Sequence, residues 1–145
     1  MGSQPSTANH PLVLRPLWLT IGWGLVLLVV YLSLAPATDL PEVRYDDKFG
    51  HLLAYFTLMA WFAQLYTRSA PLVLTLLTLG ASLEIVQGVS GYRDMAAADM
   101  LANAAGVGLG WLATRPLPNM LVWLERIIGS RKCLSPAEPA SPGGE

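Results

Sequence analysis

Four apolar runs, each long enough to cross a bilayer and each carrying at most one acidic, basic or histidine side chain, constrain this chain most. Residues 17–38 contain no such side chain, and at 1.5 Å per residue they cover roughly 30 Å, the depth of a bilayer core. Residues 49–67 contain only His51, residues 70–92 only Glu84, and residues 95–114 only Asp99. Only 13% of the 145 residues are charged, against about a quarter in soluble domains, and mean hydropathy is +0.45. The expectation is one all-α domain, a four-transmembrane-helix bundle with helices at 17–35, 49–66, 71–91 and 96–114. The net charge of −1 leaves no basic patch, so no nucleic-acid partner is expected.

The first run follows Arg15 as a signal peptide would. It exceeds the ~7–15-residue apolar core of such peptides, and three more runs come after it, which favours an uncleaved anchor. Lys and Arg set the orientation. Arg15 precedes the first run, Arg68 lies between the second and third, and Arg115, Arg126, Arg131 and Lys132 follow the fourth. The first loop is richer in acid, with Asp39, Glu42, Asp46 and Asp47 against Arg44 and Lys48. Arg93 in the third loop dissents. Both termini are therefore expected inside.

Turn residues agree with this layout. Pro36 ends the first helix and Pro41 keeps the next segment irregular, because proline lacks a donor and clashes with the preceding turn. Pro71 suits the start of the third helix, Gly91 its end, and Pro116 and Pro118 stop the fourth. Asn119 is a plausible N-cap for a short amphipathic helix within 115–131, with Leu121, Leu124 and Ile128 on one face. That helix should lie at the inner surface, Trp123 and Arg126 near the head groups. The other tryptophans read as belt and packing residues. Tails at 1–14 and 132–145 are expected to be disordered. Met1-Gly2 through Ser6 fits a myristoylation start only formally, since Pro5 is awkward there. Cys133, the only cysteine, allows no intrachain disulfide.

Helical spacing gathers the polar residues. Asp47, His51 and Tyr55 are four apart on the second helix. Glu84 and Gln87 share a face of the third. Asp99, Asn103, Gly106 and Gly110 form a stripe on the fourth, the two glycines allowing close backbone approach. All of these polar groups fall near the outer ends, where an outer vestibule with Lys48 and Arg93 is expected. Asp47 and Lys48 alone could be interfacial charges, His51 a packed side chain, and Tyr55 a packing residue. Glu84 and Asp99 are different, because a carboxylate inside a span costs a few kcal/mol and must pair or protonate. A structural bridge from Arg93 to either one is the competing reading.

The set Asp47-Lys48-x-x-His51-x-x-x-Tyr55, then Glu84-x-x-Gln87, Arg93, Asp99, Asn103 and Gly106, resembles the VanZ-like family of small bacterial membrane proteins. The resemblance covers residues 15–114. Where the family has a small polar residue between the arginine and the aspartate, this chain has Asp94 and alanines. The resemblance implies a multi-pass protein of the bacterial inner membrane with both termini cytoplasmic, acting in the cell envelope. It also implies a link to antibiotic resistance of the glycopeptide (teicoplanin) type. Membrane lipids, a lipid-linked wall precursor or a glycopeptide are the partners it suggests.

Three function classes follow. One is a binding protein whose outer site takes a lipid or wall-precursor group, through Asp47, Lys48, Tyr55, Gln87, Arg93 and Asn103. Another is an intramembrane enzyme in which His51, Glu84 and Asp99 perform acid–base chemistry. The third is a scaffold whose buried charges lock the bundle. No glycine-rich phosphate loop and no serine or cysteine nucleophile motif is present. Zinc on His51, Glu84 and Asp99 has the right donor number but only one histidine within reach, so no metal and no cofactor is expected.

Overall fold

The computed structural model describes residues 12–35, 47–67, 69–90, 97–116 and 119–132, with side chains omitted at 47 and 130–132. These residues form five helices and, among them, no strand. They are α1 (Arg15–Leu34), α2 (Asp47–Phe62), α3 (Ser69–Ser90), α4 (Ala97–Thr114) and α5 (Met120–Lys132). The all-helical expectation holds. The expected tails lie outside the described residues, apart from 12–14 and Lys132, and so do Pro36, Pro41, Gly91 and Pro118.

α2 and α4 form the closest pair, and the glycine stripe is the reason. A Cβ at Gly106 would meet the carbonyl oxygen of Leu52 and stand 3.0 Å from the Phe56 nitrogen. At Gly110 it would stand 2.7 Å from the Phe56 carbonyl oxygen and 2.9 Å from Met59 Cβ. Backbone meets backbone only because neither residue has a side chain. Tyr55 and Met59 of α2 are buried along this seam, and Leu58 and Val107 join them in the core.

α2 is shorter than the sequence suggests, ending at Phe62 rather than near residue 66. Its last turn is exchanged for contacts with α5. Gln64 N and Leu65 N tighten into bonds to Trp61 O and Phe62 O, and Gln64 Nε2 donates to Ala60 O. Asn119 Nδ2 then donates to Gln64 O at 2.7 Å, covering a carbonyl the helix would otherwise leave exposed. Asn119 is also the N-cap of α5, its Oδ1 accepting from Leu121 N and Val122 N at 3.0 and 3.2 Å. Leu121 is fully buried and Leu124 packs on the core, whereas Ile128 is exposed. The apolar face of α5 therefore narrows to its first turns.

α1 has no side-chain cap of its own. Glu125 of α5 supplies it from outside, accepting from Val13 N, Leu14 N and Trp18 Nε1, each at 2.8 Å. A carboxylate at a helix start is also favoured by the helix dipole. Burial works to raise the Glu125 pKa, but the hydrogen bonds from Trp18, Leu14 and Val13 prevail and hold it below 4.5. Trp18 and Trp61 meet edge to face with ring centroids 6.1 Å apart, and Trp61 Nε1 donates to Trp18 O. The start of α1, the end of α2 and α5 thus share one end of the bundle.

α1 and α3 are each long and apolar enough to cross a membrane, with mean hydropathy 2.1 and 1.8 over 18 residues. Only 11% and 28% of those windows is buried, so neither is a core helix wrapped by protein. Leu27, Tyr31, Leu74 and Val89 face outward. α2, with 16 residues, and α4, which carries Asp99 and Asn103, do not meet the same measure of length and apolarity. The coarse reading of a membrane-associated helical protein stands.

Candidate functional site

The polar residues converge at the opposite end from α5. His51 sits one turn into α2, Asp99 in the first turn of α4, and Glu84 six residues before the last residue of α3. The donor atoms of His51, Glu84 and Asp99 all lie within 4.8 Å of one another. Glu84 is 1% exposed and Asp99 8%, so two carboxylates and an imidazole are packed together out of solvent. The dipole of α4 favours the negative charge of Asp99 at its first turn.

His51 is held from behind. Its Nδ1 lies 3.1 Å from Asn103 Oδ1, one turn along α4 from Asp99. With an amide oxygen as acceptor, Nδ1 carries the proton, and in the neutral tautomer Nε2 presents its lone pair. Nε2 stands 4.0 Å from Asp99 Oδ2, beyond hydrogen-bond reach. The imidazole is therefore oriented but not spent.

Tyr55 forms the floor. It is 1% exposed, and its hydroxyl makes no hydrogen bond among the described residues. Gly80 of α3 makes room for it: a Cβ there would stand 3.1 Å from Tyr55 Oη and 3.0 Å from Asn103 Nδ2. Gly80 escaped the sequence reading. The available signal was its spacing, four residues before Glu84 and so on the same face.

The remaining expected site residues divide. Gln87 is buried on α3, and its Nε2 donates to Ser33 O of α1 at 2.7 Å. It ties two helices together, and one of its polar groups is engaged by the fold. Lys48 is exposed at the start of α2. The Asp47 side chain and all of Arg93 lie outside the described residues, so the expected bridge from Arg93 to Glu84 or Asp99 does too.

Two cavities, of about 780 and 530 Å³, lie elsewhere. The larger runs between the ends of α2 and α4 and the start of α5, beside Trp111, Arg115 and Trp123. The smaller is lined chiefly by apolar side chains, among them Trp23, Phe62 and Leu79. Neither touches His51, Glu84 or Asp99, and neither gathers a comparable set of ionisable groups. Both cavities lie toward the other end of the bundle from His51, Glu84 and Asp99.

No family model, no curated protein and no solved structure matches the chain.

Proposed function

We propose that this chain is a VanZ-like, four-span protein of the bacterial inner membrane whose outer polar cluster binds the head group of an envelope lipid or lipid-linked wall precursor. Support for four spans comes from the outward apolar faces of α1 and α3 and from the glycine seam joining α2 to α4. The cationic residues after α4 favour cytoplasmic termini. A link to the glycopeptide response belongs to the same reading, because such antibiotics act on the precursor outside the membrane.

One observation carries the binding reading: His51, Tyr55, Glu84, Asp99 and Asn103, from three helices, meet at one helix end out of solvent. Carboxylates, an amide, a phenol and an imidazole suit the hydroxyl and amide groups of a sugar-bearing precursor, while the exposed Lys48 would suit its phosphate. Native mass spectrometry of detergent-purified protein tests this. A polyprenyl-diphosphate sugar lipid, phosphatidylglycerol and phosphatidylcholine are offered in turn. Retention of one of the first two, lost in Asn103→Leu, is expected. Equal retention of all three by wild type and variant would overturn the reading.

The orientation of His51 favours a second reading, since a fixed Nδ1 and a presented Nε2 are what a general base requires. In that case cells with and without the gene differ in an envelope lipid or muropeptide species. Unchanged profiles would remove the enzyme.

A further inference from the structure

Two buried carboxylates and an imidazole share one small volume. Glu84 and Asp99 both lose water on burial, and low dielectric makes their mutual repulsion expensive unless a positive charge stands with them. His51 is turned so that Nε2 offers a lone pair toward Asp99 Oδ2, 4.0 Å away. In the neutral tautomer that lone pair faces a carboxylate, an arrangement that a cation between the two would stabilise.

We propose that His51 Nε2 and one carboxylate oxygen each from Glu84 and Asp99 form a binding site for a divalent first-row metal ion, zinc foremost. Three donors all within 4.8 Å of one another lie no more than about 2.8 Å from a common centre. Bonds of about 2.1 Å need each to draw in by roughly 0.7 Å, a movement that side-chain torsions supply. Three protein ligands leave a fourth position open, the pattern of zinc sites that take water or an anionic oxygen. One nitrogen with two oxygens suits zinc or manganese better than magnesium or calcium, which prefer all-oxygen shells.

Two further features fit. Asn103 Oδ1 on His51 Nδ1 is the outer partner that metal-ligating histidines use to fix ring and tautomer. The buried Tyr55 hydroxyl is close to two of the same elements. It lies beside Asn103 Nδ2 over Gly80, one turn from Glu84. A buried hydroxyl that makes no hydrogen bond among the described residues needs a partner, and a ligand at the open position would provide one. This inference does not depend on the lipid reading, because the metal alone is the probe.

The test uses the full chain, untagged, with His10→Asn and Cys133→Ser so that His51 is the only imidazole and no thiol remains. Protein stripped with chelator is reloaded with zinc, manganese, magnesium or calcium, desalted, and assayed for metal per chain. Cobalt substitution reports coordination by its visible spectrum. One zinc per chain is expected, with a rise in melting temperature on loading. Asp99→Asn and Glu84→Gln should weaken zinc at least about tenfold. Asn103→Leu, a positioning change, should weaken it about 10- to 100-fold, well beyond what the small loss of the His51 contact does to the melting of the metal-free protein, and Asn103→Asp should restore it. Zinc that washes out of wild type overturns the proposal, as does equal uptake by the Asp99 and Glu84 variants. Should those variants fail to fold, wild-type stoichiometry and the Asn103 pair decide. Zinc taken up only after Arg93→Gln would assign the balancing charge to Arg93 and also overturn it.

Discussion

Asn103 reaches across from α4 to fix His51 on α2, 52 residues earlier, through a contact of 3.1 Å. If this contact orders the imidazole, the two residues are energetically coupled. A double-mutant cycle of His51→Ala and Asn103→Ala, read by thermal melting, should return a coupling of about 0.5–1.5 kcal/mol. Strict additivity would mean that the contact orders nothing.

Two glycines one turn or less apart should behave oppositely. Nothing stands within 4 Å of a Cβ at Gly108, whereas a Cβ at Gly110 meets the Phe56 carbonyl oxygen at 2.7 Å. Gly108→Ala is therefore expected to leave stability unchanged or slightly raised. Gly110→Ala should lower it by about 1–3 kcal/mol, because backbone cannot move aside as a flexible side chain can. Equal melting temperatures for the two variants would show that the α2–α4 seam is looser than described.

Glu125 gives a pH-dependent contribution with a definite sign. Its folded-state pKa is lowered from 4.5, so the stability it adds is present above that value and is lost as pH falls through the lowered one. Glu125→Gln keeps one acceptor oxygen and sets an NH₂ against the donors at Val13, Leu14 and Trp18. It should cost of order 1 kcal/mol at pH 7, the site being partly solvated. The gap between wild type and variant should stay constant down to about pH 5 and narrow below 4.5. A gap that widens in acid would contradict the clamp.

Orientation is testable with one native and one added thiol. In intact cells, Asp39→Cys in a Cys133→Ser background should react with an impermeant maleimide, and native Cys133 only after permeabilisation. Labelling of the Asp39 site from inside alone would reverse the proposed topology.

What the sequence made legible was the part governed by period and composition. Asp47, His51 and Tyr55 at four-residue spacing predicted a polar face, and His51, Glu84 and Asp99 do come together at one helix end. Gly106 and Gly110 predicted the seam. The α2 terminus was illegible because Gln64 and Asn119 settle it across 55 residues, and no local pattern encodes such an exchange. Glu125 was hidden for the same reason. On α5 it reads as one more charge on a polar face, and its value lies in backbone donors more than 100 residues away. The polarity of Gln87 is visible in the sequence, whereas the main-chain carbonyl of Ser33 that engages its Nε2 is not.

The Glu125 cap also carries a consequence for biogenesis. A chain made from its N-terminus delivers α1 first, yet the donors at Val13 and Leu14 meet Glu125 only once residue 125 has been synthesised, 112 and 111 positions later. Until then the first helix waits unfinished at its leading end, open to whatever insertion machinery or lipid surrounds it. Completion of the fold is thereby tied to completion of translation, and a ribosome that stalls before α5 releases a chain whose first helix was never closed.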